Sequence, residues 1–201
     1  MKLDVISSIE ASALINGKHY LGPTEYQPTF CFATEERDAV AIYSPPVASH
    51  FKRALSKPLE LIRLWQYNPD RPLSQFLATT LRVVRKMSPE SDCIFSYADP
   101  GQINPLTGQP HKGTIYRATN FEYFGESRVT DYWLDEFNEK VSSPVMYRRH
   151  KTKSREKLTA LGYVLVEKPP KHLYVYGLQL TTSEVRAKIG GRYLTAPALV
   201  V

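Results

Sequence analysis

A single α/β (α+β) domain built on a mixed sheet is the fold class predicted, on three observations. The chain has 201 residues, enough for one domain with a sizeable core. Its composition, 42% hydrophobic and 23% charged, is that of a folded globular protein rather than a disordered one. Apolar runs of strand length alternate with segments of helical period, the pattern of interleaved strands and helices.

Leu3 to Ile6 reads as a short strand, and Ser7-Ser8-Ile9-Glu10 as a capping box that opens a helix ending at Gly17. Thr29 to Thr34 and Ala39 to Ser44 flank the charged turn Glu35-Glu36-Arg37-Asp38 and read as a hairpin. Pro45-Pro46 closes it. Leu59 to Tyr67 is a strand that Asn68-Pro69-Asp70-Arg71-Pro72 must break. Ser74 to Met87 is a helix with Leu77, Leu81 and Val84 on one side, Arg82, Arg85 and Lys86 toward the other, and Ser74 as its N-cap. Ile94 to Ala98 is a nearly continuous apolar strand, the mark of burial on both faces. After a Gly- and Pro-rich loop, Thr114 to Thr119 reads as a short helix and Phe121 to Phe124 as a strand. Asp131 to Val141 reads as an acidic helix, and Leu173 to Leu178 as a late strand. Residues 181–201 show no sustained period and are expected to form a loosely packed tail.

No apolar run approaches the ~20 residues needed to span a bilayer, and the first residues lack the apolar core of a signal peptide. An intracellular protein is expected. The only cysteines, Cys31 and Cys93, lie far apart inside apolar stretches, which suits small core residues better than a disulfide or thiolate zinc site. The net charge of +6 is localised: between Arg148 and Lys171 there are eight Lys or Arg against two acids, and the rest of the chain is balanced. Such a strip fits a polyanion, whose counterions are released on binding; a solvated basic helix is the other reading.

An acid directly after a buried strand stands where open α/β sheets bind ligands, and Asp99 has that place, although Asp before Pro is also a common turn starter. Tyr116 follows on the short helix, where it is either core or a hydroxyl donor. The five histidines lack the one-turn spacing of a helical zinc pair, so a metal site could only be assembled in space, from His19, His50, Asp99 or His111. No Gly-x-Ser-x-Gly elbow, Walker loop or Gly-x-Gly-x-x-Gly occurs, which counts against serine hydrolases and nucleoside triphosphatases.

Five segments in order, His19-Tyr20-Leu21-Gly22, Leu61-Ile62-Arg63-Leu64, Ser96-Tyr97-Ala98-Asp99-Pro100, Gly113 to Gly125 (GTIYRATNFEYFG) and Lys171-His172-Leu173-Tyr174-Val175, carry a resemblance. The chain resembles the Mom-like phage DNA-modification proteins. The resemblance implies a GNAT-like domain over residues 1–180, a mixed twisted sheet with helices on both faces, with the basic segment 148–171 within it and 181–201 as tail. It implies conversion of adenine in double-stranded DNA to N6-(carbamoylmethyl)adenine, which protects phage DNA from restriction in the host cytoplasm. Acetyl-CoA and iron are the cofactors it implies. Arg63, Arg71, Ser74, Thr79 and Thr80 are then the candidates for holding the cofactor phosphates, at the strand end and helix start where free amides bind anions. The usual Gly-rich phosphate loop of the acyltransferases is missing there, with Pro69 and Pro72 in its place.

On the same resemblance, Asp99 would be the general base for a weakly nucleophilic amine and Tyr116 a donor to developing charge, with His19 and Tyr20 beside them. His19, Tyr20 and Asp99 would be the iron ligands. Arg148, Arg149, Lys151, Lys153 and Arg155 would contact the DNA backbone while the target base is extruded. Tyr20, Tyr97 or Phe121 would stack on it. Two alternatives stay open: a GNAT-type acetyltransferase of a protein or small amine, and a DNA-binding module without chemistry. So does the oligomeric state, a homodimer included.

Overall fold

The computed structural model describes residues 2–19, 27–68, 70–103, 108–127, 131–167 and 169–190. β1 (Leu3–Val5) leads into α1 (Ser8–Ile15), where the Ser7 hydroxyl caps by accepting the Glu10 N–H at 3.1 Å. The Glu10 carboxylate, expected to reach back to Ser7, instead receives Arg37 at 2.7 Å; Arg37 also holds Asp4 at 2.7 Å. The helix is thereby tied to the turn of the hairpin formed by β2 (Phe30–Thr34) and β3 (Ala39–Ser44). α2 (Ser49–Ala54), β4 (Leu59–Gln66), α3 (Leu73–Met87) and β5 (Cys93–Ala98) follow, then α4 (Thr114–Arg117) and β6 (Glu122–Glu126).

The expected acidic helix over 131–141 is not one. It is a hairpin of β7 (Asp131–Leu134) and β8 (Lys140–Ser142), with Asn138 in the left-handed region at φ 59° in the turn. Asp135 organises the turn: its Oδ1 accepts the N–H groups of Phe137 at 3.0 Å and Glu139 at 2.8 Å. α5 (Ser143–His150), α6 (Arg155–Ala160) and β9 (Val164–Glu167) come next, so the basic segment is two short helices and a strand rather than one helix. β10 (His172–Gly177) returns to the main sheet. The expected tail begins with a helix, α7 (Thr182–Ile189), set by a full capping box between Thr181 and Glu184 and anchored by buried Val185 and Ile189. Residues 191–201 of that tail lie outside the described residues.

The strands form a mixed seven-stranded sheet in the order β1-β2-β3-β4-β5-β10-β6, and a small sheet in the order β8-β7-β9. β4 and β5 are the parallel pair; the other pairs described are antiparallel. Alternation along each strand sends side chains to opposite faces. On one face, Phe32, Ala41, Tyr43, Leu61 and Ile94 pack under α3, through Phe76, Leu77, Leu81 and Val84, and under α4, through Tyr116. On the other face α1 covers Ala33, Val40 and Ile42, while α2 and α7 cover Phe95, Leu173 and Val175. Helices thus lie on both faces, as expected. Cys31 and Cys93 are buried and free.

Residues 131–167 are an insertion between two neighbouring strands of the main sheet. They have their own small core of Trp133, Val141, Met146 and Leu158. The chain leaves β6 and re-enters β10 through one point: Ser127 N donates to Lys171 O at 2.7 Å, and Lys171 N donates to Ser127 Oγ at 2.9 Å. Among the described residues no helix is long and apolar enough to cross a membrane.

Candidate active site

A parallel pair that stops short creates the site. β4 and β5 are in register only at Leu59↔Ile94 and Glu60↔Phe95. Past that point β4 continues beside β3 and β5 beside β10, so the sheet parts between them. A register shift of β4 against β3 at Ile42/Tyr43, which makes Ile62 the extra residue, helps to turn β4 away, as bulges do. The Ser96 hydroxyl takes over where the ladder ends, donating to Leu61 O at 3.1 Å. The C-terminal ends of parallel strands at such a parting are where α/β sheets take ligands.

Tyr116 closes one side. It is 4% exposed, and its hydroxyl is hydrogen-bonded to Ser96, whose own proton is committed to Leu61. Burial pushes its pKa up to about 12, so the phenol keeps its proton and works as a donor. Around it stand the rings of Tyr174 at 5.2 Å, Phe121 at 5.4 Å and His111 at 5.8 Å. Gly113 makes this packing possible. It opens α4 at φ 78°, and a Cβ there would come within 2.3 Å of the Tyr174 ring, whose hydroxyl donates to Lys112 O at 2.8 Å. Gly113→Ala combines a left-handed backbone with overpacking and should cost about 2–5 kcal/mol. Urea denaturation measures that loss.

Asp99 follows β5, 3% exposed. Its Oδ1 accepts the Gly101 N–H at 3.1 Å, the turn-forming role that its Asp-Pro context predicted. Its Oδ2 faces Lys171 Nζ at 3.9 Å, and its charge also reaches His111. The structure therefore brings Asp99, His111 and Tyr116 to one end of the parted strands. His19, at the end of α1, joins them: its neighbours in charge are Arg63 and His111. Arg63, turned by the bulge, donates to Ile62 O at 2.8 Å and also lies near Glu60. Burial raises the Glu60 carboxyl, against the pull of the Val47 N–H, Lys171, Arg63 and Lys52.

Burial, then Arg63 and His111, lower the His19 pKa from 6.5 to about 4. His111 is lowered by burial too, against the pull of Asp99. Both imidazoles bind fewer protons folded than unfolded below their ordinary pKa, so acid favours the unfolded chain. The expected result is a thermal midpoint that falls as pH drops from about 6.5 to about 4, with a shallower fall in His19→Asn, read by circular dichroism on protein free of added metal.

The remaining expected residues divide. Arg71 pairs with Glu36 at 3.0 Å and with Asp38 at 3.6 Å, at the hairpin turn. Thr80 is fully buried, its hydroxyl bonded to Tyr43 at 2.7 Å and to Leu77 O at 2.8 Å, so it is core structure facing away from solvent anions. Thr79 bonds back to Gln75 O and receives Arg82. Ser74 does not cap α3; Pro72 holds the cap position without a side-chain bond, and Ser74 sits half-buried in the first turn. Arg148, Arg149, Lys151, Lys153 and Arg155 are all exposed, on α5, α6 and the link between them, with Arg155 paired to Glu167 at 3.2 Å. Tyr20 lies outside the described residues, as does Lys168. Among the described residues no three His, Cys, Asp or Glu side chains gather as a metal site, so the expected iron ligands reduce there to His19 and Asp99. Glu60, Ser96, Lys171 and His172 were missed as site residues; the ordered segments around Ser96 and Lys171-His172 were the signal that could have found the last three.

The family model of the Mom protein family matches residues 1–189, nearly the whole chain. Comparison with curated proteins gives no match.

Proposed function

The chain belongs to the Mom protein family, and from that we propose that it is a phage DNA-modifying enzyme converting adenine to N6-(carbamoylmethyl)adenine. Membership implies Mom-type modification of adenine in DNA; the carbamoylmethyl product, the acetyl-CoA requirement, the iron and the GNAT-like assignment are the finer parts of the proposal. One observation carries the assignment of a site: a buried carboxylate and a buried phenol stand at the same end of the parted parallel strands, with His111 in ring contact with the phenol and within the field of the carboxylate.

The exocyclic amine of adenine is a weak nucleophile, its lone pair drawn into the ring. Asp99, within reach of Lys171, takes the amine proton as it attacks. Tyr116, held protonated by burial, would turn its one proton from Ser96 Oγ to charge that builds on the carbon donor. Arg63 and the free amides of Leu73 and Ser74, which begin a helix of 15 residues with no side-chain cap, would be the groups to hold the pyrophosphate of acetyl-CoA, and the cofactor would supply the two-carbon unit. A simple acyl transfer would give an N-acetyl base; the acetamide product requires instead a bond from N6 to the methyl carbon, with loss of a C–H bond and two-electron oxidation of that carbon, and displacement of the thiolate by a further nitrogen, so an oxidant and a nitrogen donor must both come from outside the described residues. The described residues assemble no iron site, and no step is derived through one.

DNA reaches this site by eversion of the base, at a cost of a few kcal/mol that backbone contacts offset. The insertion supports that reading: between residues 143 and 160 it carries six Lys or Arg and one acid, Glu156. Nucleoside mass spectrometry of DNA from cells expressing the protein tests the function. Deoxyadenosine heavier by an acetamide group is expected, and its absence from wild type would overturn the reading. N-acetyl product on an amine in the absence of DNA would favour an ordinary acetyltransferase.

A further inference from the structure

The outer side of the layer formed by α3 and α4 carries charge of one sign. Residues 72–88 and 100–121 hold Arg82, Arg85, Lys86, Lys112 and Arg117 and not one Asp or Glu. All five cations are exposed. The two helices pack side by side on the same face of the main sheet, through Leu81, Val84 and Tyr116, so the cations share one surface.

Nothing among the described residues neutralises them: none of the five is in an ion pair. Elsewhere on the main sheet exposed cations do meet carboxylates, Lys2 with Glu35 at 2.6 Å, Arg71 with Glu36 at 3.0 Å and Lys57 with Glu90 at 3.2 Å. Arg82 instead donates to Thr79 Oγ1 at 3.1 Å, and Arg85 donates to Gly177 O at 3.0 Å while lying 5.3 Å from the Tyr176 ring. Neutral acceptors thus orient both arginines and leave their charge whole. The acids that follow the two segments are taken up, Glu90 by Lys57 and Glu122 by Thr182 beside α7, on the other sheet face. Helix dipoles explain only part of the pattern. They favour Arg85, Lys86 and Arg117 in last turns, but they equally favour acids in first turns. α3 and α4 have none there, whereas α1, α6 and α7 carry Glu10, Glu156 and Glu184.

We infer that this face of α3 and α4 is a second DNA-backbone surface, separate from the basic arm, along which the duplex lies while a base is everted. The partner comes from the Mom-type reading above, on which the inference rests. Continuity with the candidate site points the same way: on the single turn of α4, Tyr116 faces inward and Arg117 outward to solvent. Phosphate contacts set register and orientation, so a second line of them keeps a duplex held by the arm from pivoting away from the site.

Filter binding of a random-sequence duplex across a salt series tests this on full-length chains. Three variants are compared with wild type: Arg82, Arg85 and Lys86 changed together to glutamine; exposed Lys2, Arg53 and Lys188 changed likewise, as an equal loss of charge on β1, α2 and α7; and the α3 changes combined with glutamine at Arg148, Arg149, Lys151 and Lys153. Each phosphate contact contributes about 0.9 to the slope of log affinity against log salt, so the α3 variant should lower it by about 2–3 and weaken binding at physiological salt about ten- to a hundredfold. The control should stay within about one of the wild-type slope, and the combined variant should fall by about the sum of its two parts. An α3 variant that matches wild type, a control that falls as far, or a combined variant no lower than the arm variant alone overturns the surface. So does a loss of coenzyme A binding with the DNA slope intact, which would give the cations to cofactor phosphates. Arg85 touches β10; should its loss unfold the chain, Lys112→Gln with Arg117→Gln reads the same face, with an expected fall of about 1–2. Nucleoside mass spectrometry separates this result from the fate of the reading beneath it. Modified adenine with an unchanged slope sinks the surface alone, and a lowered slope without modified adenine sinks the chemistry and leaves the surface.

Discussion

DNA from cells expressing Asp99→Asn is expected to carry modified adenine at no more than about a hundredth of the wild-type level, since a general base contributes on the order of a hundred- to ten-thousandfold. Asparagine is the informative choice because it separates the turn contact that Asp99 makes from the base role proposed for it. Its amide oxygen still accepts the Gly101 N–H that shapes the turn. What is lost is the negative charge beside Lys171 and the ability to take a proton. If Asp99 were only a turn former, the variant would modify DNA as wild type does. Tyr116→Phe provides the companion measurement: it keeps the ring contacts with Tyr174, Phe121 and His111 and deletes the one donor, with a smaller fall of about ten- to a hundredfold. Nucleoside mass spectrometry reads both, with thermal unfolding as the check that the chains fold.

A second large effect is expected on DNA binding. Replacing Arg148, Arg149, Lys151 and Lys153 together by glutamine removes four exposed cations and leaves the insertion's core of Trp133, Val141, Met146 and Leu158 untouched. Each lost phosphate contact lowers the slope of log affinity against log salt by about 0.9, so the slope should fall by about 3–4. Affinity at physiological salt should fall by about ten- to a thousandfold. Filter binding of a random duplex across a salt series measures both quantities. An unchanged slope would move the DNA surface elsewhere on the molecule.

Local signals carried most of the fold. The Ser7 cap, the hairpin of 30–44, the apolar stripe of α3 and the buried run of β5 can all be read within a few residues, because caps, turns and periodicity are local chemistry. Acids give 131–141 a helical look that side-chain shape contradicts. Tyr132-Trp133-Leu134 favours a strand, and Asp135 through Glu139 holds turn residues. The helix at 182–189 is legible in the capping spacing of Thr181-Thr182-Ser183-Glu184, although the apolar period after it is weak. The site was legible only in its named parts. Asp99 and Tyr116 sit in quotable segments, but Glu60, Lys171 and His172 reach them through strand pairing between residues far apart in sequence, and no local pattern states which strand will lie beside which. Thr80 shows the converse: a hydroxyl on the right helix whose partner, Tyr43, turns it inward.

The doorway formed by Ser127 and Lys171 has a consequence for how this protein can vary. The strands on either side of it, β6 and β10, are already neighbours, so what lies between them closes no costly loop and can lengthen or shorten at little entropic expense. On the proposed reading, changes in the reach of the basic arm leave the main sheet and its candidate site as they are, and an exchanged arm would redirect where on DNA the chain sits without altering what it does to the base.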